Sequence, residues 1–144
     1  MPKIEKLFGR EILDSRGKPT VLATCLFEGG VSASASVPSG ASTGTAEAFE
    51  LRDGDAKRHN GLGCRRAAAN IGNDLHQELA GRDFADQGEL DQRMIALDGT
   101  ATKTRLGANA ILAVSVAFAG SRAEPASKRA SAVTRRRKRN WYVL

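Results

Sequence analysis

Residues 37–44 form the group of side chains best suited to contact an ion or a phosphorylated ligand. Their sequence is VPSGASTG, which places two glycines and three hydroxyl side chains around a proline. Glycine permits positive φ and close backbone approach, and proline fixes the direction of entry. Small hydroxyl residues can present side-chain oxygens and bare amides to one bound group. The loop therefore predicts an ion or phosphate contact, and an ordinary exposed Ser/Gly-rich loop is the alternative.

Five acidic residues could be taken for catalytic carboxylates, but their settings favour structural roles. They are Asp14, Glu47, Glu50, Asp53 and Asp98. Two of them directly precede a glycine, which is typical of a turn. Turn formation and surface ion pairs therefore explain this group better than acid–base catalysis.

The two cysteines indicate free thiols rather than a disulfide framework or a zinc site. Cys25 and Cys64 are far apart and belong to no CxxC motif. Cys25 lies in an alternating strand pattern, where it is expected to be a small buried hydrophobe. His59 and His76 also lack ligand spacing, and we expect both on the surface. Free thiols fit a reducing compartment, so a cytoplasmic protein is expected.

The first forty residues predict the strands that position the loop. Residues 4–13 form an apolar run that ends at a turn over residues 14–19. In residues 21–27, Val21, Ala23, Cys25 and Phe27 alternate with Leu22, Thr24 and Leu26. In residues 31–37 four apolar residues alternate with three serines, and Gly29 and Gly30 lie between the two runs. This period of two is typical of half-buried strands. The loop thus follows the end of a third strand.

The next part of the chain predicts helices. Residues 67–79 carry an apolar residue at every fourth position and stop before Gly81. A short helix is predicted at residues 90–97, behind Asp86. Residues 108–119 are apolar on nearly every side, so this helix should be covered all round. The fold class is therefore α+β, a three-stranded antiparallel meander followed by a helical cluster.

The positive charge of the chain is confined to residues 121–144. The formal net charge of +6 would suit a nucleic-acid or membrane partner. Residues 1–120 hold 14 basic and 15 acidic residues, whereas residues 121–144 hold 8 basic residues against Glu124 alone. We therefore predict a domain of residues 1–120 and a basic, disordered tail of residues 121–144. No apolar run suits a transmembrane helix, and no membrane contact is expected.

Five motifs follow one another along the predicted domain. They are residues 9–21 (GREILDSRGKPTV), 37–44 (VPSGASTG), 47–55 (EAFELRDGD), 97–100 (LDGT) and 103–115 (KTRLGANAILAVS). In this order they resemble the amino-terminal domain of enolase, the phosphopyruvate hydratase of glycolysis, from about Ile4 to about Ala119. The resemblance implies a magnesium-dependent, reversible dehydration of 2-phosphoglycerate to phosphoenolpyruvate.

The resemblance also implies a role for the loop as a lid over the substrate. The lid residues are Ser39, Gly40, Ala41, Ser42 and Thr43. Ser42 matches a serine that coordinates the second magnesium ion, and backbone groups near Gly40 and Ala41 approach the substrate. Magnesium favours such hard oxygen ligands. In enolases the catalytic base, the catalytic acid and the first magnesium site reside in a following barrel, so no catalytic residue is expected in this chain.

A dimer contact is implied for Arg10 and Arg16. In enolases the region that resembles residues 10–25 packs against a second subunit, and Arg10 matches an arginine that pairs with an acidic residue there. Leu22 stands where the family usually has glutamate. Thr24 and Lys18 also depart from a common acid and a common asparagine. These departures weaken the expected homodimer contact while preserving the strand pattern.

Because the resemblance ends near residue 119, we expect a fragment that is inactive alone and marginally stable or prone to aggregate. A shifted reading frame would explain the tail. The alternative function is a nucleic-acid-binding module that uses the basic block of residues 135–139 beside Trp141 and Tyr142. Deleting the tail should then abolish salt-dependent binding. A third alternative is an accessory chain that docks onto a separate barrel polypeptide.

Overall fold

A computed structural model describes residues 3–37 and 49–123, with a sheet that is followed by helices. The strands are β1 (Ile4–Leu13), β2 (Pro19–Phe27) and β3 (Ser32–Ser36). They form one antiparallel sheet in the order β1-β2-β3. The helices are α1 (Arg65–Asn70), α2 (His76–Leu79), α3 (Gln87–Asp98) and α4 (Ala108–Ala123). The predicted α+β class and the three-stranded meander are confirmed.

The inner face of the sheet supplies one side of the hydrophobic core. Along β2 the alternate residues Val21, Ala23, Cys25 and Phe27 are buried against the helices. Side chains on a strand alternate between faces, so the residues between them lie on the outer face. The burial of Cys25 confirms its predicted role as a small core residue.

Helices α1 and α2 are parts of one helical segment that lies against β1. A wider π-helical turn, Ile71–Leu75, joins them, and the segment ends where Ala80 becomes extended. The residues at the predicted four-residue spacing are all fully buried: Ala67, Ile71, Leu75 and Leu79. Two hydrogen bonds then join this segment to β1. The Leu7 amide donates to His76 Nδ1 at 3.1 Å, and the Gly81 amide donates to the Ile4 carbonyl at 2.7 Å.

Gly9 allows α1 to approach β1 closely. A Cβ atom at this position would lie 2.1 Å from the Ala68 carbonyl oxygen and 2.8 Å from Ile71 Cβ. Neither distance is compatible with a side chain. The glycine therefore sets how near the helix lies to the strand.

Helix α3 begins and ends at residues that the sequence marks. The Asp86 carboxylate accepts the Glu89 amide at 2.8 Å, which caps the first turn. Leu90 and Met94 are fully buried. The helix ends before Gly99, which has a φ of 70°.

Helix α4 is longer than predicted and is covered on only part of its surface. It continues to Ala123, and Phe118 packs against the rings of Phe27 and Phe84 with centroids 5.9 and 6.2 Å away. Leu112 and Val116 remain 49% and 47% exposed. The described residues therefore cover only part of the helix, because no element among them packs on the face of Leu112 and Val116.

The predicted domain boundary at residue 120 falls inside a helix, because α4 runs from Ala108 to Ala123. The division into residues 1–120 and 121–144 stays a prediction. None of the helices in the described ranges combines the length and apolarity needed to cross a membrane.

Candidate functional site

The predicted lid residues lie in a segment, residues 38–48, that falls outside the described part of the chain. This applies to Ser39, Gly40, Ala41, Ser42 and Thr43. The chain on both sides of the segment is described, and both ends are bound to the domain. The described part of the candidate site therefore consists of the hydrogen bonds that hold the chain before and after residues 38–48.

The upstream attachment is at Val37, directly after β3. Its amide donates to the Val21 carbonyl at 3.3 Å, and its carbonyl accepts a hydrogen bond from the Thr20 hydroxyl. The Val37 side chain is buried in the core beneath the sheet. Thr20 is itself 5% exposed. A buried hydroxyl requires a hydrogen-bond partner, and the Val37 carbonyl provides it. The end of β3 is thus held in place where residues 38–48 begin.

The downstream attachment begins at Phe49. The Phe49 amide donates to the Thr102 carbonyl at 2.6 Å, and the Phe49 carbonyl accepts the Ala108 amide at 2.7 Å. The second bond also satisfies an amide in the first turn of α4, which has no partner within the helix. Residue 49 is therefore fixed to the start of α4.

Two residues further on, Leu51 is bound by the side chain of Asn109. The Leu51 amide donates to Asn109 Oδ1, and Asn109 Nδ2 donates to the Leu51 carbonyl, each at 3.1 Å. Both residues are buried. One amide side chain thus satisfies both backbone groups of one residue, as a neighbouring strand would.

The turn before α4 is organised by Asp98. Its carboxylate accepts hydrogen bonds from the Thr100 amide at 3.0 Å, from the Thr100 hydroxyl, and from the Leu106 amide at 2.8 Å. Burial alone would raise the pKa of Asp98, but these hydrogen bonds outweigh it and the pKa lies below its usual value. Asp98 therefore closes the loop of residues 99–106 and places Leu106 at the start of α4.

Arg52 joins the downstream segment to the start of β2. Its Nη1 atom lies 2.6 Å from the Pro19 carbonyl, 2.8 Å from the Leu62 carbonyl and 2.9 Å from Cys64 Sγ. Its Nη2 atom forms an ion pair with Glu50 at 3.1 Å. One guanidinium therefore connects three segments that are distant in sequence.

Glu11 and Arg58 form a second connection between β1 and the residues that follow the segment. Arg58 Nη1 donates to Glu11 Oε2 at 2.9 Å and Nη2 donates to Oε1, while the Cys64 amide donates to Oε2 at 2.6 Å. The hydrogen bond from Arg58, with the Cys64 amide as a further donor, lowers the pKa of Glu11 to about 2 in spite of its burial. Glu11 is thus held as a carboxylate by structural partners.

Asp53 caps the helical segment from outside. Its two carboxylate oxygens accept the Arg65 amide at 3.0 Å and the Arg66 amide at 2.9 Å. These are amides of the first turn of α1, which have no helical partners of their own. Arg58 lies 3.8 Å from the same carboxylate. The loop of residues 53–64 is therefore closed at both ends by charged side chains.

The predicted structural roles of the acidic residues are confirmed where the structure describes them. The Asp14 carboxylate accepts the Lys18 amide at 2.9 Å and the Arg16 amide at 2.8 Å, and these bonds lower its pKa. Asp53 and Asp98 bind backbone amides as given above, and Glu50 pairs with an arginine. Glu47 lies outside the described residues.

The two predicted dimer-contact residues lie on β1 and on the turn that follows it. Arg10 is exposed on the outer face of the sheet, opposite Leu22 in the register of β1 and β2. Arg16 lies in the turn between these strands, where its side chain is 63% exposed and 3.9 Å from Asp14.

Neither the histidines nor the cysteines of the described residues form a metal site. No group of three or more His, Cys, Asp or Glu side chains in these ranges could hold an ion. His59 is exposed, as predicted. His76 is not a simple surface residue, because it is partly buried and accepts the Leu7 amide. Ser42, the candidate magnesium ligand, lies outside the described residues.

Several residues that build these attachments were not predicted individually from sequence. They are Thr20, Arg52, Arg58, Thr102 and Asn109. Three of the five lie inside the motifs quoted above, which is the signal that could have found them. The hydrogen bonds that they contribute to these attachments reach partners 10 to 58 residues away in the chain, so these bonds could not be predicted from local pattern.

The described residues form an α+β domain that holds Val37, directly after β3, and Phe49, which is bound to the start of α4, on either side of residues 38–48. A family model of the enolase N-terminal domain matches residues 4–131. The chain therefore belongs to the enolase N-terminal domain family. The match extends past α4 into residues that the structure does not describe.

Proposed function

We propose that this chain is the amino-terminal part of a phosphopyruvate hydratase, which interconverts 2-phosphoglycerate and phosphoenolpyruvate with magnesium. The observation that carries the proposal is the family match over residues 4–131. The attachments on both sides of residues 38–48 support it, because a loop that acts on substrate must leave from fixed points. A cytoplasmic location belongs to the same proposal and is supported by two free cysteines.

The proposed contribution of this chain is the lid. Ser42 would offer a hydroxyl oxygen to a magnesium ion, which would stabilise negative charge on the reacting substrate. Gly40 and Ala41 would bring backbone groups to the substrate, with Ser39 and Thr43 beside them. The hydrogen bonds of Val37 and Phe49, the residues that flank the segment, support this assignment.

Under this proposal, residues 1–144 taken alone do not catalyse the reaction. In the enolases that this chain resembles, the base, the acid and the first magnesium ligands belong to a barrel that follows this domain. We expect activity only after the chain is mixed with an enolase barrel polypeptide that lacks its own amino-terminal domain.

The test is a complementation assay that follows phosphoenolpyruvate formation with magnesium present. The chain alone should give the rate of a mock preparation, and the mixture should exceed both components. Ser42→Ala should lower the complemented rate, whereas Ser115→Ala, on the face of α4 towards α3, is a matched serine control. Turnover by the purified chain alone, or no gain on mixing, would contradict the proposal.

We also propose that Arg10 and Arg16 lie at a contact between subunits of the assembled enzyme. Arg10 is exposed on β1, and the Arg16 side chain is 63% exposed in the turn between β1 and β2. Leu22 lies beside Arg10 and offers an apolar rather than an acidic neighbour. Arg10→Glu should shift sedimentation of the complemented enzyme towards the single-copy form, and Lys57→Glu, at an exposed site in the loop of residues 53–64, should not.

A further inference from the structure

Asn109 is a buried amide whose hydrogen bonds go to the chain directly downstream of residues 38–48. It is 5% exposed and lies in the first turn of α4. Its oxygen and nitrogen bind the amide and the carbonyl of Leu51, both at 3.1 Å. A buried backbone residue outside a sheet needs partners for both groups. Asn109 supplies both at once, so Leu51 has one favoured position along α4.

The side chain at position 109 must provide both a hydrogen-bond donor and an acceptor to bind Leu51. A carboxylate of the same shape would keep an acceptor for the amide but would place an oxygen against the Leu51 carbonyl. An aliphatic side chain of the same size would leave both backbone groups without partners in a buried place, which is costly. Only a side-chain amide offers a donor and an acceptor at this spacing.

Gly107 keeps open the space in which this pair forms. It has a φ of +94°, and a Cβ atom built on it would lie 2.6 Å from Asn109 Oδ1 and 2.6 Å from Leu51 Cβ. A side chain at this position would therefore push apart the two residues that bind each other. The backbone conformation also disfavours any residue other than glycine.

Phe49 adds a second pair of backbone hydrogen bonds that hold the same segment. Its amide and carbonyl bind Thr102 and Ala108 at 2.6 and 2.7 Å. The segment 49–51 is thus attached through both backbone groups of two alternate residues. A shift of this segment by one residue would break all four bonds.

We propose that Asn109 is a positioning residue that fixes the register of residues 49–51 on α4 and so fixes the point at which the chain after residues 38–48 rejoins the described domain. Asn109 acts through Leu51 and does not itself reach the substrate. The functional meaning rests on the proposed lid role of residues 39–43. The register itself can be tested without any activity measurement, so the two proposals can fail separately.

The test measures the distance between two spin labels in the full chain, one at Phe49→Cys and one at Gln92→Cys. Gln92 is an exposed position on α3. Both native cysteines are fully buried and should not be labelled in the folded protein. The parent should give one narrow distance distribution. Asn109→Leu and Gly107→Ala should each broaden or shift it.

Asn70→Leu is the matched control, because it also removes a hydrogen bond that a part-buried side-chain amide donates to the backbone. That bond runs from Asn70 Nδ2 to the Leu106 carbonyl at 3.0 Å. It should leave the distance unchanged. A distance that stays narrow in the Asn109 and Gly107 variants would overturn the proposal. An equal change in the Asn70 control would overturn it too, since general loosening would then explain the result.

Amide exchange gives a second measurement for variants of low stability. Loss of the Asn109 bonds should accelerate exchange at Leu51 about tenfold or more, as expected for one lost hydrogen bond. Exchange at Val114, in the buried middle of α4, should change much less. If Leu51 and Val114 accelerate by the same factor, Asn109 serves only global stability and the proposal fails.

Discussion

Single side chains hold the described chain that follows residues 38–48, and Glu11 is the charged side chain whose contribution can be tested. It accepts hydrogen bonds from Arg58 and from the Cys64 amide, and its side chain is only 13% exposed. Glu11→Gln keeps the size of the side chain but removes the charge. We expect it to lower the free energy of unfolding by roughly 2 kcal/mol in urea titrations. Glu5→Gln, at an exposed position of the same strand, is the control and should change little.

The same carboxylate predicts a pH dependence of stability. Its pKa falls from 4.5 to about 2 on folding, so the stabilisation is complete above about pH 4.5 and is lost as the pH falls through about 2. The parent should therefore lose stability over this window more steeply than Glu11→Gln. Asp14 and Asp98 also have lowered pKa values, so the variant keeps a shallower slope. Parallel curves for both proteins would show that Glu11 is not ion-paired.

The cysteines give a separate prediction at the scale of residues. Burial raises the pKa of Cys25 to about 12, and burial also raises the pKa of Cys64. Thiolates are the reactive form, so neither residue should react with a disulfide reagent in the folded protein at about pH 8. Two thiols should react once denaturant unfolds the chain. A thiol that reacts rapidly under native conditions would contradict the described core.

At the scale of elements, the contact of α1 with β1 depends on Gly9. Gly9→Ala would place a Cβ atom 2.1 Å from the Ala68 carbonyl, and neither backbone can move without disturbing the core. We expect a loss of about 3 kcal/mol in the free energy of unfolding. Thermal or urea unfolding measures it.

Gly72 is the matched control for that substitution. It lies in the π-helical turn of the same helical segment, and a Cβ atom there would meet nothing within 4 Å. Gly72→Ala should therefore be neutral or stabilise by roughly 0.5–1 kcal/mol, because alanine favours helix. Equal effects of the two substitutions would mean that helix propensity, and not the close contact, decides both.

The elements themselves could be predicted from local sequence where their apolar period was clear. The alternation along β2 and the four-residue spacing from Ala67 to Leu79 each gave the right element and the right buried side. Asp86 also marked the true start of α3. The π-helical turn Ile71–Leu75 was not predicted, because its side chains keep the spacing of an ordinary helix while the backbone widens.

The hydrogen bonds that hold the chain around residues 38–48 could not be predicted from sequence, because they join residues that are far apart in the chain. Asn109 and Leu51 are 58 residues apart, and Glu11 and Arg58 are 47 apart. Nothing near Asn109 indicates which backbone it binds until α4 is packed against the domain. The motifs therefore marked the right residues, but only the fold gives their partners. The lid residues 39–43 stay a prediction.

At the scale of the whole molecule, the described domain is a sheet covered by helices on its inner face, with two surfaces that nothing described covers. One is the outer face of the sheet, which carries Arg10. The other is the exposed stripe of α4, defined by Leu112, Val116 and Ala119. In enolases a barrel follows this domain. An apolar stripe without cover is consistent with a domain that depends on further protein for its stability.

The exposed stripe of α4 predicts how the purified chain behaves. Leu112 and Val116 are about half exposed and one turn apart, so two copies can bury them against each other. The combined substitution of Leu112→Lys and Val116→Lys should reduce association in sedimentation velocity experiments. It should leave the far-UV circular dichroism and the unfolding midpoint nearly unchanged, because lysine is a good helix former and neither position is in the core.

The control must add the same charge away from the stripe. Gln77→Lys with Gln92→Lys does so at exposed positions of α2 and α3, and it should leave association as it is in the parent. If this control also prevents association, repulsion between whole molecules explains the effect. If the parent is a monodisperse monomer with a sharp cooperative melt, the stripe does not drive association. The expected marginal stability would then be wrong as well, because the helices and sheet of the described domain would suffice to fold it without cover on α4.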